Sequence, residues 1–184
     1  MRLFVALALP DDLVERLERM CAGLPGAVWV RPENLHVTLR FIGEVDALQA
    51  NDIDAALSAV SVPSFQLSLT GLGQFGEGRK TRAVWVGVAP TPELAALQSK
   101  IERAIVRAGL EPESRKFHPH VTLARFSSNP GIKLRTFFAQ HALFRTTPFE
   151  VTSFELYSSV LGSGAPLYNR EASYVLKPGK TSTA

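Results

Sequence analysis

The chain has 184 residues, 46% of them hydrophobic, with 20 Lys and Arg against 17 Asp and Glu and a formal net charge of +3. That length suits one domain, or one domain of two similar lobes, and the apolar fraction is enough to fill a core. The single cysteine, Cys21, excludes an internal disulfide and a multi-cysteine zinc site, and no apolar run reaches the ~20 residues needed to cross a bilayer.

The opening apolar run, 2–9, is short, lacks a small-residue cleavage site and is followed by Pro10-Asp11-Asp12. It therefore reads as a buried strand rather than a signal peptide, and the protein as cytoplasmic. Pro10, Asp11 and Asp12 suit the first turn of a helix. Leu13, Leu17, Met20 and Leu24 continue it at helical spacing, with Cys21 packed alongside, until Gly23 to Gly26 end it. A short strand over 28–30 and a turn over 31–34 lead into a strand that closes at Gly43. Residues 46–60 form a helix with Leu48, Ile53, Ala56, Leu57 and Val60 on its apolar side, broken by Pro63. Strands are expected over 65–69 and from about 82 through 88. The four glycines and two cations of 71–80 make a flexible hairpin loop between them, read as an ordinary solvated loop ahead of a phosphate-contacting one.

Thr91-Pro92-Glu93 carries an N-cap, a first-turn proline and an acid, so a second long helix starts there. Its stripe is Leu94, Leu97, Ile101, Ile105 and Ala108, and Gly109 stops it. A polar approach over 111–117 leads to another strand, followed by a helix over 133–141. Strands over 149–157 and 168–176 flank a turn at Gly162-Ser163-Gly164 with Pro166. The domain is expected to span 1–177, with 178–184 as a disordered tail. The second half repeats the element plan of the first.

That repetition is sharpest in one stretch. Leu35-His36-Val37-Thr38-Leu39-Arg40-Phe41 recurs, 84 positions on, as Pro119-His120-Val121-Thr122-Leu123-Ala124-Arg125-Phe126. Both copies alternate polar and apolar, the period of a half-buried strand. Residues i and i+2 of a strand share a face. His36 therefore lies beside Thr38, and His120 beside Thr122, each pair backed by apolar residues.

These two His-x-Thr motifs, in the flanks Trp29 to Glu44 and Phe117 to Arg125, resemble the 2H phosphoesterase superfamily. Within it they look like the bacterial and archaeal RNA 2′,3′-cyclic phosphodiesterases, historically called 2′-5′ RNA ligases. The likeness covers nearly the whole chain. It implies an α+β fold of two pseudo-symmetric lobes, each an antiparallel-rich sheet with helices on its outer face, around a central cleft. It further implies metal-free chemistry without a cofactor, acting on RNA or oligonucleotide ends that carry a 2′,3′-cyclic phosphate. The resemblance makes His36 the proton donor to a leaving 3′-oxygen and His120 the proton acceptor from water, giving an RNA 2′-phosphomonoester. Joining of ends through a 2′-5′ bond is the same chemistry with a ribose hydroxyl in place of water. Arg125 matches a family position that binds phosphate. A monomer without membrane association is expected.

The residue types suit that chemistry on their own terms. In-line hydrolysis of a cyclic phosphodiester needs a base and an acid on opposite sides of phosphorus. Imidazole, with an unperturbed pKa of ~6.5, serves either role, and one neutral and one protonated ring predict a bell-shaped pH profile. Thr38 and Thr122 hydroxyls are placed to donate to the non-bridging oxygens. On a regular strand Arg125 has the wrong parity to join His120 and Thr122, unless a bulge re-aims it. Arg40 has the right parity to join His36 and Thr38 and is its rival. His118 shares parity with His120 but departs from the motif. Phe41 reads as core packing. A base-stacking aromatic is expected, and Phe75, Phe126, Tyr157 and Tyr168 all remain candidates.

Two other readings compete. A non-catalytic RNA-binding α+β module fits the mildly basic surface, but the chain lacks the aromatic-rich RNP pattern, and that reading leaves the duplicated motif without a reason. A metal-dependent hydrolase lacks an HExxH or clustered acids.

Overall fold

A computed structural model describes residues 1–127, 131–160 and 166–179. The opening run is the strand β1 (Arg2–Ala8), whose interior residues are all buried. The helix α1 (Asp11–Glu18) comes next and buries Leu13 and Leu17. It stops earlier than the spacing predicts. Met20 and Leu24 still reach the core, but from a turn, with the Met20 amide bonded to the Leu17 carbonyl. Cys21 sits in this turn, its Sγ donating to the Leu17 carbonyl at 3.3 Å. Burial, helped by Glu18, pushes its thiol up to about 11, so it packs as an unreactive group.

The chain continues through β2 (Ala27–Trp29), a 3-10 turn (Pro32–Asn34) and β3 (His36–Glu44), the first motif strand. Next come α2 (Ala47–Ser58), β4 (Phe65–Leu67), β5 (Leu69–Phe75), β6 (Ala83–Val88) and α3 (Pro92–Arg107). The second motif strand is β7 (His120–Phe126), followed by α4 (Lys133–Gln140), β8 (Phe149–Val151), β9 (Ser153–Val160) and β10 (Leu167–Val175). Asp46 caps α2 by accepting from the Gln49 amide, and Thr91 caps α3 by accepting from the Leu94 amide, satisfying donors that a bare helix start leaves orphaned.

Two of the expected strands are split. Residues 65–75 form β4 and β5, and 149–160 form β8 and β9, because β4 and β8 pair with each other in a separate two-stranded ribbon. The expected glycine loop is consequently shorter. Gly71 to Phe75 is strand, and only the segment around the 3-10 turn Gly78–Lys80 is loop. The turn expected at 162–164 lies outside the described residues. Lys177, at the edge of the expected tail, bridges to Pro63, and the Gly179 amide donates to Ser64 Oγ at 2.9 Å.

Among the described residues two four-stranded sheets remain, β10-β9-β1-β3 and β2-β7-β6-β5, with every strand pair antiparallel. The linear repeat does not map onto separate halves. The closing strands β9 and β10 join the sheet of the first motif, while β2 crosses to pair with the second. Each sheet thus takes strands from both halves of the chain, and neither half completes a lobe alone. The motif strands β3 and β7 approach each other with Cα atoms within 8 Å. Val37, Leu39, Val121 and Leu123 are fully or almost fully buried on their back faces. Each such side chain contributes roughly 1.5–3 kcal/mol, so the apolar half of each motif holds the polar half in place.

Candidate active site

In β1 against β3, Ala8 faces His36, Ala6 faces Thr38, and Val5 faces Arg40, so Leu39 is an extra residue. In β6 against β7, Gly87 faces His120, Trp85 faces Thr122, and Val84 faces Ala124, so Leu123 is the extra residue. The bulge therefore repeats at the same motif position. A bulge reverses the alternation beyond it. Position 40 and its counterpart 124 turn into the core, and positions 41 and 125 turn out to the histidine face.

The bulge sends the two arginines to opposite sides and corrects two expectations. Arg40, expected beside His36 and Thr38, is only 8% exposed. Its Nε donates to Glu102 of α3 at 2.6 Å, one terminal nitrogen donates to the Phe41 carbonyl, and the other donates to the Glu111 carbonyl at 2.6 Å. Glu102 also accepts from the Glu113 amide at 2.9 Å. Arg40 thus ties the first motif strand and α3 to the segment that leads into the second, and its donors are occupied by protein. Phe41, expected in the core, is 50% exposed on the cleft side, its ring 6.2 Å from Phe4. Arg125 is exposed, and its charge acts on both His36 and His120.

The two imidazoles are held alike. His36 Nδ1 lies 2.7 Å from the Asn34 carbonyl oxygen, and His120 Nδ1 lies 2.6 Å from that of His118. A carbonyl only accepts, so Nδ1 carries the proton in both rings and Nε2 is left to take or give one. His36 Nε2 is 3.0 Å from Thr38 Oγ1. While that ring is neutral, the hydroxyl donates to it. Once Nε2 is protonated, the threonine proton is released for another acceptor. Asn34 is itself buried and donates from Nδ2 to the Pro166 carbonyl at 2.8 Å, tying the residue directly before β10 to the start of β3.

Burial holds the His36 imidazole down at about 4. The Asn34 carbonyl opposes this, and the charges of His120 and Arg125 reinforce it. His120 is also lowered, first by burial, with the His118 carbonyl opposing and His118 and Arg125 adding to the effect. An anion between the rings would reverse the Coulombic part and raise both values.

Aromatic rings flank each histidine. Around His36, Phe4 lies 5.0 Å away and Tyr168 5.5 Å, and Phe4 stacks on Tyr157 at 5.2 Å. Around His120, Phe75 lies 4.8 Å away and Trp85 5.7 Å, with His118 4.8 Å from Trp85. Of the four candidate stacking residues, Phe126 is removed: it is 9% exposed and part of the core. Asn34, Phe4 and Trp85 are site residues that the sequence did not single out. Asn34 had a signal, since 34 and 118 bear the same repeat relation as the histidines they hold. Among the described residues, no group of three or more His, Cys, Asp or Glu is placed to hold a metal ion, and no helix is long and apolar enough to cross a membrane.

A family model described as the 2′-5′ RNA ligase superfamily matches residues 9–162, which include both motifs. A protein of Aeropyrum pernix named RNA 2′,3′-cyclic phosphodiesterase is 37% identical over 76% of this chain and 80% of its own. One of the same name from Archaeoglobus fulgidus is 31% identical over 91% and 96%. The crystal structure of Escherichia coli LigT complexed with 3′-AMP aligns with a TM-score of 0.79 at 28% identity, over 95% of this chain and 97% of that one.

Proposed function

Because the chain belongs to the 2′-5′ RNA ligase superfamily, we propose that it is an RNA 2′,3′-cyclic phosphodiesterase that opens cyclic phosphate ends to 2′-phosphomonoesters. The observation that carries this reading is the matched pair of imidazoles, each with Nδ1 tied to the carbonyl two residues upstream and Nε2 left for proton transfer.

His120, neutral in the free protein, takes a proton from water as its oxygen attacks phosphorus. His36, protonated once the phosphate anion has raised its pKa, delivers the Nε2 proton to the departing 3′-oxygen. The P–O3′ bond breaks and P–O2′ remains. Protonation of His36 frees the Thr38 hydroxyl to donate to a non-bridging oxygen, with Thr122 and the Arg125 guanidinium as further donors to the growing charge. Each histidine contributes roughly 10²–10⁴-fold. The chemistry is metal-free, and the same ring opening with a ribose hydroxyl in place of water forms a 2′-5′ bond.

The test is incubation of the protein, in excess chelator, with an oligoribonucleotide ending in a 2′,3′-cyclic phosphate, followed by assignment of the product's phosphate. A 2′-phosphate, absent with folded His36→Ala and His120→Ala variants, is the expected result. A 3′-phosphate would reverse the leaving oxygen. Activity lost to chelator and restored by a metal ion would remove the metal-free mechanism, and a wild-type protein without turnover would remove the activity itself.

A further inference from the structure

Hydrolysis of a cyclic phosphate involves one nucleoside, yet the cleft has two aromatic surfaces. In-line displacement assigns them to different sides. The ribose whose 3′-oxygen leaves lies toward His36, so its base meets Tyr157 and Tyr168, which the buried Phe4 ring backs. The attacking oxygen comes from the side of His120, where water alone would need no aromatic floor. Phe75 nevertheless stands there 40% exposed, its ring 5.5 Å from Trp85 and 6.0 Å from His118. The sequence makes room for this surface. A Cβ on Gly73 would lie 2.1 Å from the Trp85 ring, so only glycine lets the indole lie across β5.

Building on the proposed activity, we infer that Phe75, backed by Trp85 and His118, is the subsite for a second nucleoside whose 5′-hydroxyl competes with water for the phosphorus. His120 Nε2 takes the 5′-hydroxyl proton, O5′ bonds to phosphorus, P–O3′ breaks, and O3′ takes the proton of His36. A 2′-5′ phosphodiester results with no other reactant. In reverse, O3′ attacks and His120 protonates the departing O5′. A longer acceptor would run its next phosphates toward Lys80 and Arg82, both exposed at the end of the β5–β6 hairpin, where the Arg82 amide bonds the Phe75 carbonyl at 2.8 Å. Stacking of a base on an aromatic ring is worth roughly five- to 150-fold in affinity.

The experiment offers the cyclic-phosphate oligoribonucleotide two alcohols in separate reactions, 2′,3′-dideoxyadenosine, whose only hydroxyl is 5′, and methanol. It reads the ratio of alcohol adduct to hydrolysis product, which cancels any change in turnover common to both. At equal concentration the nucleoside should exceed methanol by at least about fivefold. Phe75→Ala and Phe75→Leu should erase that advantage, and Phe75→Tyr should keep it. An unchanged advantage in Phe75→Ala, or an advantage erased by Tyr168→Ala instead, would overturn the inference. Wild-type protein that hydrolyses the ring but never prefers the nucleoside would overturn it too. Failure to hydrolyse the ring at all is distinct, because it would remove the proposed activity beneath it.

Discussion

Replacing Arg40 with alanine should weaken the fold while leaving the chemistry largely intact, and replacing Arg125 should do the reverse. Arg40 is buried, and its loss removes the 2.6 Å pair with Glu102 and the 2.6 Å donation to the Glu111 carbonyl. Deleting one partner of a buried ion pair costs about 3–5 kcal/mol, because the other charge is left without compensation. Glu102 keeps the Glu113 amide and is 22% exposed, which argues for the low end, about 3 kcal/mol. Urea unfolding at neutral pH should then show a midpoint lower by about 1–2 M at an unchanged slope. Glu102→Met should rescue part of the loss when combined with Arg40→Met, since a buried pair replaced by apolar side chains is often neutral. Arg125→Ala removes an exposed side chain, and its unfolding midpoint should barely move. Loss of a charge-assisted hydrogen bond to phosphate, about 1.5–3 kcal/mol, should lower its kcat/KM by roughly ten- to 150-fold. A stable Arg40→Ala protein with activity reduced 100-fold, beside an Arg125→Ala protein of normal activity, would refute the bulge argument and restore Arg40 to the phosphate.

Stability should fall in acid because of His36. The unfolded imidazole titrates near 6.5 and the folded one at about 4, so between those values the unfolded chain binds more protons. The contribution is complete above 6.5 and lost as pH falls toward 4, up to roughly 3 kcal/mol; His36→Gln should flatten this part of a denaturation-midpoint series. Both free imidazoles are lowered, so the acid limb of kcat/KM should lie below 6.5, and the limbs of kcat, set with the anion bound, should lie higher. Gly73→Ala drives a methyl into the Trp85 ring and should cost about 1–3 kcal/mol in stability, with a change in indole fluorescence that reports the displaced ring. Tyr168→Ala, beside His36, should raise KM more than it lowers kcat, as measured on a short cyclic-phosphate substrate.

The site was more legible in the sequence than the way its lobes are assembled. The capped starts of α2 and α3 rest on Asp46 and Thr91, residues that satisfy local donors wherever they occur. The end of α1 did not match its apolar spacing, because Met20 and Leu24 reach the core equally well from a turn. The split of 65–75 into two strands depends on β8, a partner more than 70 residues away, and nothing local announces it.

Alternation along two short segments determined that His36 joins Thr38, that His120 joins Thr122, and that a buried apolar face stands behind each pair. That information is local, since successive strand residues point to opposite sides whatever the partner strand. The direction of the side chains beyond Thr38 and Thr122 was decided elsewhere. The extra residues Leu39 and Leu123 are extra only relative to β1 and β6, so the turn of Arg40 into the core and of Phe41 and Arg125 toward the histidines exists only once those strands have paired. The same holds for the rings beside each imidazole: Phe4, Tyr157 and Tyr168 gather at His36, and Phe75 and Trp85 at His120, through contacts between strands far apart in the chain.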